Sequence, residues 1–203
     1  MQPFHFAIDC EAFKKTQQLK ASLVYLEDGW CESTYNLNEV KVDQSNPMYR
    51  CIDDKYVIGK SSIENDDFDV LIFCSRNVEK VTIPSYIKRI GPHAFANCNR
   101  IEKVEFSNDS ELEIIDHHAF FSLSIKSVTI PLHLTKICDA AFSYCHLIEI
   151  PENSELKTIE KFAFFQSSIE SLTIPQSLVD LRSSWPSNTL RLKSVNVHPN
   201  NQR

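Results

Sequence analysis

Glycine is almost missing from this chain, with 3 in 203 residues. No phosphate-cradling glycine loop, nucleophile elbow or HExxH zinc motif occurs. No catalytic residue, metal ligand or cofactor site is therefore expected. Lysine and arginine form no cluster, and the net charge of -6 is spread along the chain. Nucleic acid needs a basic stripe to release counterions, so it is not the expected partner. No apolar run approaches the length of a membrane span, which excludes direct membrane insertion of this segment. The opening Met1-Gln2-Pro3-Phe4-His5-Phe6 lacks both regions of a signal peptide. Seven cysteines is an odd number and cannot pair completely.

What is present is a repeat. Val128-Thr129-Ile130-Pro131 is followed by Leu134, Ile137 and Ala141-Phe142. The same order runs from Val81-Thr82-Ile83-Pro84 to Ala94-Phe95, and from Leu172-Thr173-Ile174-Pro175 to Leu181. Looser copies lead from Val104 to Ala119-Phe120 and from Ile148 to Ala163-Phe164. Phe95, Phe120, Phe142 and Phe164 are spaced 25, 22 and 22 residues apart. A fixed period of this size is the signature of a solenoid. Val and Ile two residues apart share one strand face, with Thr or Glu pointing out between them. Pro ends the strand because it cannot donate to a ladder. The next apolar pair crosses from the opposite wall, and Ala-Phe makes a tight corner, expected to be helical. Parallel strands are expected near 40–42, 81–83, 104–106, 128–130, 148–150, 172–174 and 195–197, stacked in one sheet.

The pattern divides the chain into three. Residues 1–45 hold partial repeats, starting inside one at Ile8 to Phe13. There Leu26, Trp30, Leu37, Val40 and Val42 have a twin in Leu181, Trp185, Leu192, Val195 and Val197, at the same intervals. Residues 46–77 interrupt the array. Met48 to Ile52 and Lys55 to Ile58 flank Asp53-Asp54, which reads as a β-hairpin. An acidic loop and a third strand, Val70 to Phe73, follow. The loop's Glu64, Asp66, Asp67 and Asp69 lack the alternation of a calcium loop and read as a solvated surface. Residues 78–203 resume the solenoid and reach the place where a second insertion would begin.

From Val78 through Val81-Thr82-Ile83-Pro84, Ile90-Gly91, Ala94-Phe95 and Cys98, the chain resembles the BspA-like, or Treponema pallidum type, leucine-rich repeats. Asn46-Pro47-Met48-Tyr49 is similar to the segment after which that family carries hairpins. Cys138, Asp116 and Glu160 depart from the family's glycine. The resemblance implies a β-rich α/β solenoid, a right-handed superhelix of stacked parallel strands with short helical corners and one inserted β-hairpin. It implies a non-catalytic protein-interaction module of the cell surface or extracellular space, acting in adhesion to a host or matrix protein. Free cysteines and the missing leader favour the alternative, an intracellular scaffold.

Cys98, Leu123, Cys145 and Ser167 share one slot, which reads as small semi-buried packing. His93 and His118 hold equivalent positions, with His117 alongside, and read as solvent-facing corner residues without metal-ligand spacing. If the strand cores face inward, the outward row is Thr82, Glu105, Thr129, Glu149 and Thr173. Lys80, Lys103, Ser127, Leu147 and Ser171 run beside it. None is aromatic, so sugars and single-stranded nucleic acid lose support. A protein partner is expected there.

Overall fold

The computed structural model describes residues 16–20, 22–123, 125, 128–146 and 148–201. The expected partial repeat at Ile8 to Phe13 lies outside them. In chain order the strands begin with β1 (Thr16–Leu19), β2 (Glu39–Val42), β3 (Tyr49–Ile52), β4 (Tyr56–Gly59) and β5 (Val70–Cys74). Then come β6 (Lys80–Ile83), β7 (Arg89–Ile90), β8 (Lys103–Phe106), β9 (Ile114–Ile115), β10 (Val128–Thr129) and β11 (Lys136–Ile137). The last are β12 (Ile148–Glu149), β13 (Thr158–Ile159), β14 (Ser171–Ile174), β15 (Asp180–Leu181) and β16 (Ser194–Val197).

Each turn contributes two strands to opposite walls. In β6, Val81 and Ile83 are buried while Lys80 and Thr82 are exposed, as a period of two dictates. Its equivalents pair in parallel as β1–β2, β6–β8, β10–β12 and β14–β16. The strand positions match the repeat, but among the described residues this wall pairs as four two-stranded sheets and not as one. The continuous sheet is the opposite wall, in the order β15-β13-β11-β9-β7-β5-β4-β3. Its parallel register carries Ile90, Ile115, Ile137, Ile159 and Leu181 in one row. The hairpin β3–β4 turns through Asp53 and Asp54 at φ 52° and 51°, the positive-φ pair of a two-residue connection. β5 then joins the array by pairing in parallel with β7.

Between the walls, Phe95, Phe120, Phe142 and Phe164 form a fully buried column with ring centroids 4.9, 5.1 and 6.1 Å apart. Trp185 extends it edge-on at 6.0 Å. A second apolar cluster lies under the first turn, where Trp30, Leu37 and Val40 meet Met48, Tyr49, Val57 and Phe73.

The corners are not helical; the described residues contain no helix. Each corner places two residues in the left-handed region, on either side of its aromatic: His93 and Asn97, His118 and Ser122, Ala140 and Tyr144, Phe162 and Gln166. A right-handed helix does not tolerate that backbone. The central amides bond between turns instead: Phe95 N–H to Ala119 O, Phe120 to Ala141, Phe142 to Ala163 and Phe164 to Trp185, at 2.8 to 3.2 Å. An amide committed to the next turn cannot also close an i→i−4 helical bond.

Candidate functional site

Lys80, Thr82, Lys103, Glu105, Thr129, Glu149 and Ser171 all lie exposed on the first wall, and Thr173 is half-buried there. Ser127 and Leu147 fall outside the described residues. Register sets Lys80 beside Lys103 and Thr82 beside Glu105. It likewise sets Thr129 beside Glu149, and the Thr129 hydroxyl donates to Glu149 Oε2 at 2.8 Å. Lys103 forms an ion pair with Glu105 on the same strand face. The row is therefore polar, internally paired and broken between strand pairs.

An open groove runs alongside it, lined by Arg100, Phe106, Pro131, Leu132 and His133 as well as by Lys103 and Glu105. Phe106 is half-buried, Leu132 is exposed, and His133 Nδ1 lies 3.1 Å from Glu155 Oε1. Sequence reasoning missed these residues. The signal was the 25-residue spacing from Phe95 to Phe120. That longest turn places the Ser107 to Ser110 loop against the groove.

A second centre joins the first turn to the array. The Arg76 guanidinium is buried and donates to Thr34 O, Thr34 Oγ1, Cys31 O, Cys74 O and Ala94 O at 3.0 to 3.2 Å. It also reaches Cys98 Sγ at 3.2 Å and packs 4.7 Å from the Phe73 ring centroid. No carboxylate is among these partners. Burial alone would raise the Cys98 thiol, but a hydrogen bond from Cys74 and the Arg76 charge outweigh it and bring it down to about 7. Cys31, Cys51, Cys74, Cys98, Cys138 and Cys145 are all free. The shared slot of Cys98, Leu123, Cys145 and Ser167 is fully buried, not semi-buried.

His93 and His118 stack at 5.0 Å with ring planes 2° apart, and His117 meets His93 edge-on at 5.5 Å. His93 is buried, which corrects the solvent-facing expectation. Burial, then the nearby charges of His118, His117 and Arg76, push it down from 6.5 to about 4. His118 is also lowered, first by burial and then by His117, against the opposing pull of Asp139 and Glu32. Above pH 6.5 His93 is neutral in both folded and unfolded chains. Between 6.5 and 4 the unfolded chain binds a proton that folded His93 refuses, so stability falls with pH across that window. About 2–3 kcal/mol should be lost by pH 4 from this group. Denaturant midpoints measured against pH should show that slope, and His93→Gln should flatten it. An equal slope in both proteins would contradict the assignment.

Among the described residues, no group of three or more His, Cys, Asp or Glu is placed to hold a metal ion. Nor, among the described residues, is any helix long and apolar enough to cross a membrane. The acidic loop is partly structural. Asp69 is buried, accepts from Ser61 N–H and Oγ–H, and presents its carbonyl to the amides of Lys88 and Arg89, whereas Glu64, Asp66 and Asp67 are exposed.

The family model for the BspA type leucine-rich repeat region matches residues 66–193 in six copies. The fold is similar to that of a leucine-rich repeat protein from Eubacterium ventriosum, with a TM-score of 0.72 at 16% identity, over 90% of this chain and 48% of that one. It is also similar to the pneumococcal vaccine antigen PcpA, with a TM-score of 0.54 at 20% identity, over 91% of this chain and 39% of that one. The chain thus spans less than half the length of either protein. No curated protein sequence matches it.

Proposed function

Because the chain belongs to the BspA-type leucine-rich repeat family, we propose that it is a non-catalytic protein-interaction module that binds a host or matrix protein through its first wall. The binding row is Lys80, Thr82, Lys103, Glu105, Thr129, Glu149, Ser171 and Thr173, with Ser127 and Leu147 at the equivalent sequence positions. The observation that carries this reading is the row itself. Charged and hydrogen-bonding side chains stand outward at strand spacing along the array, beside a groove that adds Phe106 and Leu132. Short polar groups on an extended solenoid surface suit a protein partner, with charge pattern setting specificity. Each contact is weak, and repetition raises the total by avidity. The module works at the cell surface or outside the cell, in adhesion. The family and the likeness to a pneumococcal antigen support that placement.

The test replaces Glu105 and Glu149 together with lysine. Both are exposed surface groups, so stability should change by less than ~1 kcal/mol. Protease-sensitive, saturable binding to host-cell and matrix protein surfaces should fall at least about tenfold, as when close charge pairs across an interface are reversed. Unchanged binding would remove this wall as the site. A second reading, an intracellular scaffold built on the same repeat, rests on the free thiols of all six cysteines among the described residues, since oxidising compartments favour disulfides. Antibody labelling of intact cells separates the two.

A further inference from the structure

Three cysteines converge on Arg76, which bonds Cys31 O, Cys74 O and Cys98 Sγ. Two of them share a hydrogen bond. Cys74 ends β5, and its N–H donates to Ala94 O at 2.9 Å. Cys98 closes that same corner, with its N–H on Phe95 O at 3.2 Å. The fold thus brings together two thiols 24 residues apart in the chain. The Cys74 thiol donates to Cys98 Sγ, and Cys98 Sγ lies 3.8 Å from Cys74 O. Three other thiols face elsewhere. Cys31 Sγ reaches His93 O at 3.5 Å, Cys138 Sγ lies 3.9 Å from Asp116 Oδ1, and Cys145 Sγ reaches Phe120 O at 3.0 Å. Burial pushes them up, to about 11 for Cys31 and about 12 for Cys138 and Cys145.

Arg76 sets which sulfur of the pair carries charge. Its Nη1 donates to Cys98 Sγ at 3.2 Å, and a buried cation without a carboxylate partner favours an anion at its fork. Burial opposes the Cys98 thiolate, but the Cys74 hydrogen bond and the Arg76 charge outweigh it. Cys74 goes the other way. Burial, then the hydrogen bond to Cys98, push its thiol well above the usual range, so it keeps its proton. One thiolate in contact with one thiol can attack a disulfide and then resolve the product.

We propose that Cys74 and Cys98 are a reversible dithiol–disulfide pair that exchanges with small-molecule disulfides of the glutathione class. This chemistry does not depend on the binding reading above. The Cys98 thiolate attacks one sulfur of the small disulfide, forms a mixed disulfide and releases one small thiolate. Cys74 then gives up its proton and attacks Cys98 Sγ. That step forms the Cys74–Cys98 bond and expels the second small thiolate. Two electrons and two protons pass from the protein thiols, and the small disulfide leaves as two thiols. Both sulfurs are fully buried, so exchange runs as the chain folds or when the first turn lifts off the corner. The bond ties β5 to the corner of the next turn. Arg76 favours the thiolate, and hence the reduced form, so the bond is labile.

The test refolds the full chain from denaturant in buffers of reduced and oxidised glutathione. Free thiols are trapped by alkylation, and the chain is digested with trypsin without reductant. Peptide 61–76, which carries Cys74, should be recovered joined to peptide 90–100, which carries Cys98. The joined fraction should rise with oxidised glutathione and fall again when the reduced form is restored. Native chain held in the same buffers without denaturant should reach the same end point more slowly. The equilibrium constant for joining should be at least about fivefold smaller at pH 8 than at pH 6. Reduced Cys98 gives up its proton in that window, while glutathione keeps most of its own. The two peptides alkylated and separate at every ratio would overturn the proposal. So would Cys98 joined instead to peptide 21–41, which carries Cys31. A constant that does not move between pH 6 and 8 would overturn it as well, since Arg76 would then have no hold on the pair.

Discussion

Phe142→Ala is expected to cost ~3–5 kcal/mol of stability, the range for removing a buried aromatic. Phe142 is fully buried between two stacked neighbours, Phe120 at 5.1 Å and Phe164 at 6.1 Å. Its turn cannot collapse to fill the void, because its backbone is tied on both sides: Phe142 N–H bonds Ala163 O, and Phe120 N–H bonds Ala141 O. A solenoid has no central core to share the strain, so the loss falls on the two turn-to-turn interfaces that flank the cavity. Denaturant melts read the loss as a lower midpoint. A loss under ~1 kcal/mol would mean that Phe142 is not core.

Arg76→Met should cost a similar ~3–5 kcal/mol, for a different reason. The methionine keeps much of the volume but leaves buried Thr34 O without its donor and Cys74 O with only the Cys98 thiol at 3.8 Å. Each unpaired buried acceptor costs about 1–3 kcal/mol. Burying a charge is itself expensive, and a well-packed apolar replacement is often neutral. Here the count of donated bonds decides. Six acceptors from three different turns converge on one guanidinium, so its removal loosens the first turn from the rest. A melt within ~1 kcal/mol of the parent would show that the apolar contacts alone hold that turn.

Much of the fold was legible because its determinants are local and periodic. The Val-x-Ile-Pro runs placed the strands β6, β10 and β14, and the Ala-Phe pairs placed the buried column. The Asp53-Asp54 pair marked the turn between β3 and β4 through the positive φ that aspartate tolerates. The corners were misread as helical because Ala-Phe next to a Cys or Ser carries helix-compatible side chains. What excludes a helix is where the amides bond, and Phe95 N–H to Ala119 O is a contact between residues 24 apart. The separation of the first wall into four strand pairs was likewise illegible, since ladder continuity depends on backbone approach between turns.

The candidate face was legible as a row of outward positions, but the groove beside it was not, because it is shaped by the long turn after Phe95. Arg76 was invisible to periodicity. It is one of four cations in the segment between repeats, with Arg50, Lys55 and Lys60, and only folding brings Cys31, Thr34, Cys74, Ala94 and Cys98 around it. His93 was misjudged for a related reason. Its burial comes from the first turn packing over it, where Cys31 Sγ reaches His93 O at 3.5 Å.

Turn-to-turn backbone bonding through the aromatic corners holds this array together, and amide exchange reads that bonding residue by residue. Phe95, Phe120, Phe142 and Phe164 each donate their N–H to the following turn. Trp185 occupies the same slot, and its N–H has no such acceptor among the described residues. The four phenylalanine amides should exchange at least about a hundredfold more slowly than that of Trp185, since they open only when neighbouring turns part. Phenylalanine amides exchanging as fast as Trp185, or as fast as the exposed loop at Asp66 and Asp67, would contradict it.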